Sequence, residues 1–303
     1  MGKRELSSAC DTPLSVIIPV HQLSIRMTSL VKILDSAIGL NIEIVLVVDS
    51  ASSSETLQLQ NEVRKFDGAD IKIVHGIFGS AGYARNAGLK VCKCKWITFW
   101  DSDDIPNPSK YLRVLENEDV WSYDLLVGAI QETRMNSEET PRIHFPTSAA
   151  RTIAKYPGFT RFLYRSDYIQ ELQFKSHKMG EDICFLSDVL SKQPRTKYLN
   201  ELLYEYQVGR SFQTTQLQGN FKDLLKVVNH LIENSRKYPF SYDLNQQFAL
   251  RTYAGYLKHN RNFLNAQFLW TSFSLLGLLL RKIRIRAFVS TPTSKAAEGD
   301  VHA

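Results

Sequence analysis

Short apolar runs alternate with amphipathic stretches through the first hundred residues, and this alternation restricts the fold more than any other feature. Runs rich in β-branched residues are typical of buried strands, whereas apolar residues spaced by three and four are typical of helices. The pattern predicts strands at 14–20, 43–49, 71–75 and 96–100, with helices between them at 26–38, 53–66 and 81–91. Such alternation indicates βαβ units and a mostly parallel sheet.

Beyond residue 108 the pattern is less regular. Strands are expected at 125–132 and 198–208, a loop at 136–146, and amphipathic helices at 221–236, 242–259 and 263–280. These segments divide the chain into a flexible N-terminus (1–12), an α/β domain (13–215), a C-terminal helical region (216–289) and a flexible tail (290–303).

The residues that follow each predicted strand form the candidate site, because open α/β sheets bind ligands beyond the carboxyl ends of their strands. One such segment has three carboxylates within four residues, Asp101, Asp103 and Asp104. Like charges this close repel, and a divalent cation such as Mg²⁺ or Mn²⁺ neutralises them through carboxylate oxygens. The alternative is a solvated acidic turn in which Ser102 or Asp104 caps a helix.

Four segments resemble, in order and spacing, the motifs of the family-2 inverting glycosyltransferases. They are SVIIPVH at 15–21, VVDS at 47–50, GSAGYARNAG at 79–88 and TFWDSDD at 98–104. The resemblance is close over 14–115 and looser to about residue 215. It implies an α/β fold of the GT-A (Rossmann-like, nucleotide-sugar-binding) type, a mixed, mostly parallel sheet flanked by helices, with a C-terminal helical appendage.

By this resemblance a nucleotide sugar binds at the strand ends. Arg85 is expected to meet a phosphate bidentately, with a surface helix arginine as the alternative. Ser50 stands where the family has a second acid, so the base that is recognised stays open. The expected donor-binding residues are Pro19, Val20, His21, Asp49, Ser50, Gly79, Arg85, Asn86, Asp101, Ser102 and Arg210.

The same resemblance assigns the metal site and the general base. Asp103 is expected to bind Mn²⁺ or Mg²⁺ first, Asp101 reaches ribose or metal, and Asp104 lies beside them. Asp182 matches the family's Glu-Asp motif, which implies that it deprotonates the acceptor hydroxyl. Glu181 orients the acceptor or is the alternative base. Carboxylates at a helix N-terminus are also ordinary capping residues.

Positive charge is concentrated in the C-terminal region. The net charge is +6, yet residues 244–297 contain eight Lys or Arg and no Asp or Glu. An apolar helix with a basic end predicts binding to an anionic membrane surface through 263–286; the alternative is a helix packed on the catalytic domain. Residues 263–280 are too polar for a transmembrane span. No nucleic-acid partner is expected, because no reader motif accompanies the charges.

Residues 1–10 are polar, so no secretory signal is expected, and the four cysteines lack zinc spacing. Free thiols are typical of a reducing cytoplasm, which predicts a cytoplasmic protein or one peripheral on the cytoplasmic face of the membrane.

The function expected from the resemblance is inverting, metal-dependent transfer of a sugar from a nucleoside-diphosphate sugar to a hydroxyl of a carbohydrate or lipid-linked acceptor. Cell-surface polysaccharide, lipopolysaccharide or glycolipid would be the product. The Gln-x-x-Arg-Trp element of processive synthases does not appear, so single additions are expected. A nucleotidyltransferase would need a Gly-rich basic loop after the first strand, and a dehydrogenase would need Gly-x-Gly-x-x-Gly there. The remaining alternative is a catalytically inactive nucleotide-sugar-binding or scaffold protein.

Overall fold

The computed structural model describes residues 12–66, 68–135, 137–209, 220–259 and 266–289, with only the backbone of 220, 266 and 281–289. Arg210, the predicted tail 290–303 and the predicted N-terminus up to residue 11 lie outside the described residues. The division into domains therefore stays a prediction.

Nine strands form one sheet within the described parts of the chain. They are β1 Leu14–His21, β2 Ile42–Asp49, β3 Asp70–Gly76, β4 Trp96–Phe99, β5 Ile105–Pro106, β6 Leu125–Arg134, β7 Arg142–His144, β8 Phe162–Arg165 and β9 Thr196–Val208. Their order is β3-β2-β1-β4-β8-β6-β9-β5, and β7 pairs with β6. Strands β1 to β4 are parallel, β8 runs antiparallel to β4 and β6, and β6 and β9 are parallel. The predicted mixed, mostly parallel sheet is confirmed.

The helices among the described residues include the six predicted above, with differences at their ends. They are α1 Leu23–Ser36, α2 Ser53–Val63, α3 Ala81–Val91, α4 Pro108–Leu115, α5 Ala150–Lys155, α6 Ser166–Ile169, α7 Glu181–Ser191, α8 Asp223–Lys237, α9 Tyr242–His259 and α10 Ala266–Val289. Helix α10 continues beyond the predicted end at 280, through the basic segment. The predicted loop at 136–146 contains the short strand β7.

Both faces of the central strands are buried, which explains their nearly uninterrupted apolar sequences. Side chains of β1 alternate between two core clusters: Val16 and Ile18 pack with α1, and Ile17 packs with α3. Helix α3 lies close to the sheet because position 88 is glycine. A Cβ at Gly88 would lie 2.5 Å from Ile17 Cγ2 and 3.1 Å from Val47 Cγ2.

The C-terminal helices share a hydrophobic core with the central sheet. Val227 of α8, Phe248 of α9 and Leu275 of α10 are buried in the same cluster as Phe99 of β4. This confirms the predicted helical appendage. No helix among the described residues combines the length and hydropathy that a membrane crossing requires.

Candidate active site

The strand-end segments predicted from the sequence meet at one edge of the sheet. His21 at the end of β1 is the register partner of Asp49 at the end of β2, and Asp49 is the partner of Gly76 at the end of β3. Parallel pairing of β1 with β4 brings Asp101 and its neighbours to the same edge. Among the described residues, the edge therefore brings the predicted strand-end residues together, and α3, which carries Arg85 and Asn86, begins beside it.

Asp49 organises the turn that leads into α3. Its buried carboxylate accepts the N–H groups of Phe78 (2.8 Å) and Gly79 (3.2 Å) and the Ser50 hydroxyl (2.8 Å). Gly79 has φ +69°, a conformation that glycine adopts without strain. His21 lies exposed beside this carboxylate, with Nδ1 3.7 Å from Asp49 Oδ2. Asp49 thus shapes the predicted nucleotide site, and His21 lies on its rim.

The first strand contributes side chains unevenly to this edge. Val20 is buried in the core, whereas Pro19 is partly buried and His21 is exposed. Because its side chain is buried, Val20 presents only its backbone at this edge. Ser50 is left-handed with φ 58°, and its hydroxyl donates to Asp49 as described.

Arg85 on α3 connects the acidic turn to α7. Its side chain is buried, and its two Nη atoms donate to Asp101 Oδ1 and Glu181 Oε1, both at 2.8 Å. The guanidinium lies 4.6 Å from the ring centroid of Phe159 and 5.4 Å from that of Phe174. The alternative of a surface arginine is wrong. The two Nη atoms that were expected to bind a phosphate donate instead to the carboxylates of Asp101 and Glu181 in this structure.

Asn86, the next residue, holds the segment that leads into α7. Its Nδ2 donates to the Phe174 carbonyl (2.9 Å), and its Oδ1 accepts the Phe174 N–H (2.8 Å). Gly82 permits this packing, since a Cβ there would lie 2.6 Å from the Lys175 carbonyl oxygen. The side-chain amide of Asn86 is thus hydrogen-bonded to the backbone of Phe174 and is not free to contact a nucleotide sugar.

The three carboxylates of the acidic turn have different partners. Asp101 pairs with Arg85, and Asp103 pairs with Arg26 of α1. Asp104 is buried, where its carboxylate accepts the Tyr204 hydroxyl and the Gln207 N–H, both at 3.0 Å. Burial and the neighbouring Asp101 hold the pKa of Asp104 well above its usual range.

Ser102, between these carboxylates, is buried, and its carbonyl accepts the Ser29 hydroxyl of α1 at 2.7 Å. On the other side, the Tyr204 hydroxyl accepts the Asp101 N–H at 2.9 Å. The acidic turn is therefore held between α1 and β9, with the Ser102 side chain in the interior.

Asp101 and Asp103 fit a divalent cation better than Asp104 does. Mg²⁺ and Mn²⁺ are commonly bound by one or two carboxylates together with substrate phosphates. The side chains of Asp101 and Asp103 are 30% and 17% exposed, whereas Asp104 is enclosed and hydrogen-bonded to β9. Among the described residues no three His, Cys, Asp or Glu side chains converge in a metal-binding group.

Glu181 and Asp182 open α7, following a glycine that the packing requires. Gly180 has φ +82°, and a Cβ there would lie 2.8 Å from Val227 Cγ2 of α8. Burial, and then the negative charge of Glu181, raise the pKa of Asp182 to about 7, although Arg85 acts in the opposite direction. A carboxylate with a pKa near neutrality suits a general base at that pH.

Several residues around this site were not singled out from the sequence. The sequence gives only a weak indication of Tyr204, because Tyr204 alternates with Tyr206 on an aromatic strand. Arg26 has none, since it is one polar residue of an amphipathic helix. The aromatic rings of Phe159 and Phe174 around Arg85 also lack a local motif.

Comparison with known proteins identifies relatives of this site and fold. Residues 15–182 match the family model Glycosyl transferase family 2. The minor teichoic acid biosynthesis protein GgaB of Bacillus subtilis (strain 168) is 23% identical over 68% of this chain and 25% of its own length. Glycosyltransferase GlyA of Streptococcus pneumoniae serotype 4 is 26% identical over 66% of this chain and 31% of its own length. The chain therefore spans about a quarter to a third of these two relatives.

Solved structures share the architecture at low sequence identity. S. aureus TarS 1–349 in complex with UDP-GlcNAc is 17% identical, with a TM-score of 0.66 over 90% of this chain and 83% of that one. The mannosyltransferase PcManGT from Pyrobaculum calidifontis, in complex with GDP-Man and Mn²⁺, is 12% identical, with a TM-score of 0.50 over 92% and 91% of the two chains. The likeness to TarS confirms the predicted GT-A fold.

Proposed function

Because the chain belongs to glycosyl transferase family 2, we propose that it is an inverting, non-processive glycosyltransferase that uses a nucleoside-diphosphate sugar. The observation that carries the proposal is the buried Arg85 bridge. It joins Asp101, at the donor edge of the sheet, to Glu181, beside the carboxylate with the raised pKa. Donor and acceptor chemistry would then meet at the two Nη atoms of one guanidinium.

The donor in this proposal is a UDP-sugar. TarS, the neighbour with the TM-score of 0.66, has been solved with UDP-GlcNAc and also with UDP. The nucleoside would lie against Pro19, His21 and the turn shaped by Asp49, with Gly79 allowing close approach of the backbone. The diphosphate would then lie next to Asp101 and Asp103.

Mn²⁺ or Mg²⁺ belongs to the same proposal, with Asp103 and Asp101 as its ligands. When bound, the ion would stabilise the negative charge that develops on the leaving diphosphate. Asp103 would have to exchange its ion pair with Arg26 for this role. Asp104 would position the turn through Tyr204 and β9.

Asp182 would accept the proton of the acceptor hydroxyl as its oxygen attacks the anomeric carbon from the side opposite the diphosphate. Glu181, fixed by Arg85, would orient that hydroxyl. Since GgaB is named for minor teichoic acid biosynthesis, we place the acceptor among carbohydrate or lipid-linked precursors of cell-surface polymers or glycolipids. The reaction would take place at the cytoplasmic face of the membrane.

Thermal unfolding of the full chain with UDP, GDP, CDP and TDP, each with and without Mn²⁺, tests donor binding. UDP at a hundred times its Kd should stabilise the native state by about 2.7 kcal/mol, and Mn²⁺ should enlarge the shift. Asp103→Asn should lose the Mn²⁺-dependent increment. A folded protein whose unfolding temperature responds to none of the four diphosphates would refute the donor site.

Catalysis is tested separately from binding with Asp182→Asn. This variant should keep the increases in unfolding temperature with UDP and Mn²⁺. Its rates of donor hydrolysis and sugar transfer should fall by about a hundredfold or more. Equal rates in Asp182→Asn and wild type would exclude Asp182 as the base. A wild-type chain that binds UDP-sugar but neither hydrolyses nor transfers it would instead be the inactive binding or scaffold protein.

A further inference from the structure

Helix α10 packs on the rest of the molecule through one side. Leu275 and Leu278 are buried in the core that α10 shares with α8 and α9. Thr271 Oγ1 donates to Asn229 Oδ1 of α8 at 3.1 Å, and the Tyr242 hydroxyl of α9 donates to the Leu278 carbonyl. These contacts fix the rotation of α10 about its axis and thereby determine which residues face away.

The side of α10 that faces away is apolar. Trp270 and Phe273 are 70% and 72% exposed, and Leu276 and Leu280 are each 51% exposed. Together with Leu269 they recur at helical spacing along one side, and we call these five residues the α10 stripe. Single exposed apolar residues are ordinary on protein surfaces, but a contiguous stripe that includes two aromatic rings marks an interaction surface.

The helix that carries the α10 stripe continues into a basic segment. Its backbone stays helical through Val289, and residues 281–286 read RKIRIR. Helix α10 of a second copy paired through the same stripe would bring no acidic residue to this segment, since 244–297 contains none. Anionic phospholipid headgroups would supply the complementary charge.

We propose that the α10 stripe docks on an anionic phospholipid surface, with α10 in the plane of the interface. An apolar side bearing Trp and Phe, beside a Lys/Arg-rich segment, is the composition of helices that bind membranes in this way. The inner side of α10 stays packed on α8 and α9, so docking needs no rearrangement of the core. The proposal concerns residues separate from the strand-end site and does not depend on the proposed reaction.

Sedimentation of the full chain with vesicles tests the proposal. The chain should bind vesicles of mixed phosphatidylcholine and phosphatidylglycerol, and raising NaCl from roughly 0.1 M to roughly 1 M should weaken binding by shortening the Debye length. Vesicles of phosphatidylcholine alone should bind it less. Trp270 fluorescence should shift to shorter wavelength on binding, a change that Trp270→Phe should remove.

Two matched variants separate the stripe from general charge effects. Trp270→Glu/Phe273→Glu should reduce binding to the anionic vesicles at least about tenfold. Ile38→Glu/Leu57→Glu adds the same charge at two exposed apolar residues outside α10, each 56% exposed, and should bind nearly as wild type does. Trp270→Ala/Phe273→Ala repeats the test without added charge and should also weaken binding.

Three results would overturn the proposal. The first is a folded wild-type chain that does not sediment with anionic vesicles. The second is equal binding by the stripe and control variants. The third is a wild-type dimer that Trp270→Glu/Phe273→Glu converts to a monomer, with no vesicle binding by either protein, which would assign the stripe to a second copy. Urea unfolding verifies that each variant is folded, and UDP binding, measured without vesicles, tests the donor site independently.

Discussion

Replacing Asp182 by Asn should stabilise the protein above pH 7 and have progressively less effect as the pH falls. The pKa of Asp182 is raised from 3.8 to about 7 in the folded state, first by burial and then by Glu181. The folded state therefore holds a proton that the unfolded chain releases near pH 4. Between these two values the stability of the wild type falls as the pH rises, because the folded state binds more protons.

The size of the effect follows from the shift. Each pKa unit corresponds to 1.36 kcal/mol, so a rise from 3.8 to about 7 costs the wild type about 4 kcal/mol at pH 8. Asn has nearly the shape of the protonated carboxyl group and cannot ionise, so the variant does not lose this stability. The stability gained by Asp182→Asn should increase by about 1.4 kcal/mol per pH unit from pH 4 to pH 7 and then become constant.

Urea unfolding of both proteins at pH 5, 6, 7 and 8 measures the gain directly. Asp35→Asn, which replaces an exposed carboxylate on α1, is the control for changing a carboxylate to an amide, and its gain at each pH is subtracted. A gain from Asp182→Asn that is the same at all four pH values would refute the reasoning. So would a variant less stable than the wild type at pH 8.

Wild-type activity should follow the same titration in the opposite direction. A base must be deprotonated to act, so kcat/KM should fall about tenfold per pH unit below pH 7. Above pH 7, where Asp182 is deprotonated and competent, its cost to the stability of the fold is thus at its full size. Loss of stability at a functional group is a common cost of activity.

Two further substitutions test how the site is held in place. Gly180→Ala should lower the free energy of unfolding by about 2–3 kcal/mol, because φ at this position is +82° and the new Cβ would meet Val227. The control is Gly39→Ala, where φ is +71° and a Cβ would have nothing within 4 Å, and it should lower the free energy of urea unfolding by less. Equal losses in the two variants would exclude the Val227 contact as a cause. Tyr204→Phe should destabilise by about 1–3 kcal/mol and weaken Mn²⁺-dependent UDP binding, because its hydroxyl joins Asp104 to the Asp101 N–H. The control is Tyr111→Phe, which removes another buried hydroxyl, one that donates to the Thr160 carbonyl at 2.7 Å. This variant should leave UDP binding unchanged. If both variants weakened UDP binding equally, the proposed role of Tyr204 would be contradicted.

The first half of the sheet could be predicted from the sequence because each strand there carries its own signal. Strands β1, β2 and β4 are buried on both faces, so their apolar sequences define them locally. Strand β7 has no such signal. Arg142, Ile143 and His144 are exposed or partly exposed, and pairing with β6 alone makes them a strand. A polar segment of three residues was therefore interpreted as part of a loop.

The location of the candidate site was predictable for a similar reason, whereas its internal contacts were not. Strand-end motifs identify which residues share an edge, because parallel strands end together. The pairs that shape the site join residues far apart in sequence: Arg85 to Glu181, separated by 96 residues, and Tyr204 to Asp104, separated by 100. Nothing local indicates that Arg85 turns inward against the aromatic rings of Phe159 and Phe174.

The charges gathered here explain why donor and cation binding should be coupled. Asp101, Asp103, Glu181 and Asp182 lie around Arg85 and Arg26, so carboxyl groups outnumber arginines at this site. A diphosphate added to this excess would be repelled, and a divalent cation alone would compete with Arg26 for Asp103. Bound together, cation and diphosphate neutralise each other and leave the local charge nearly unchanged. Such coupling is reciprocal, so UDP should raise the affinity for Mn²⁺ by the same factor as Mn²⁺ raises the affinity for UDP.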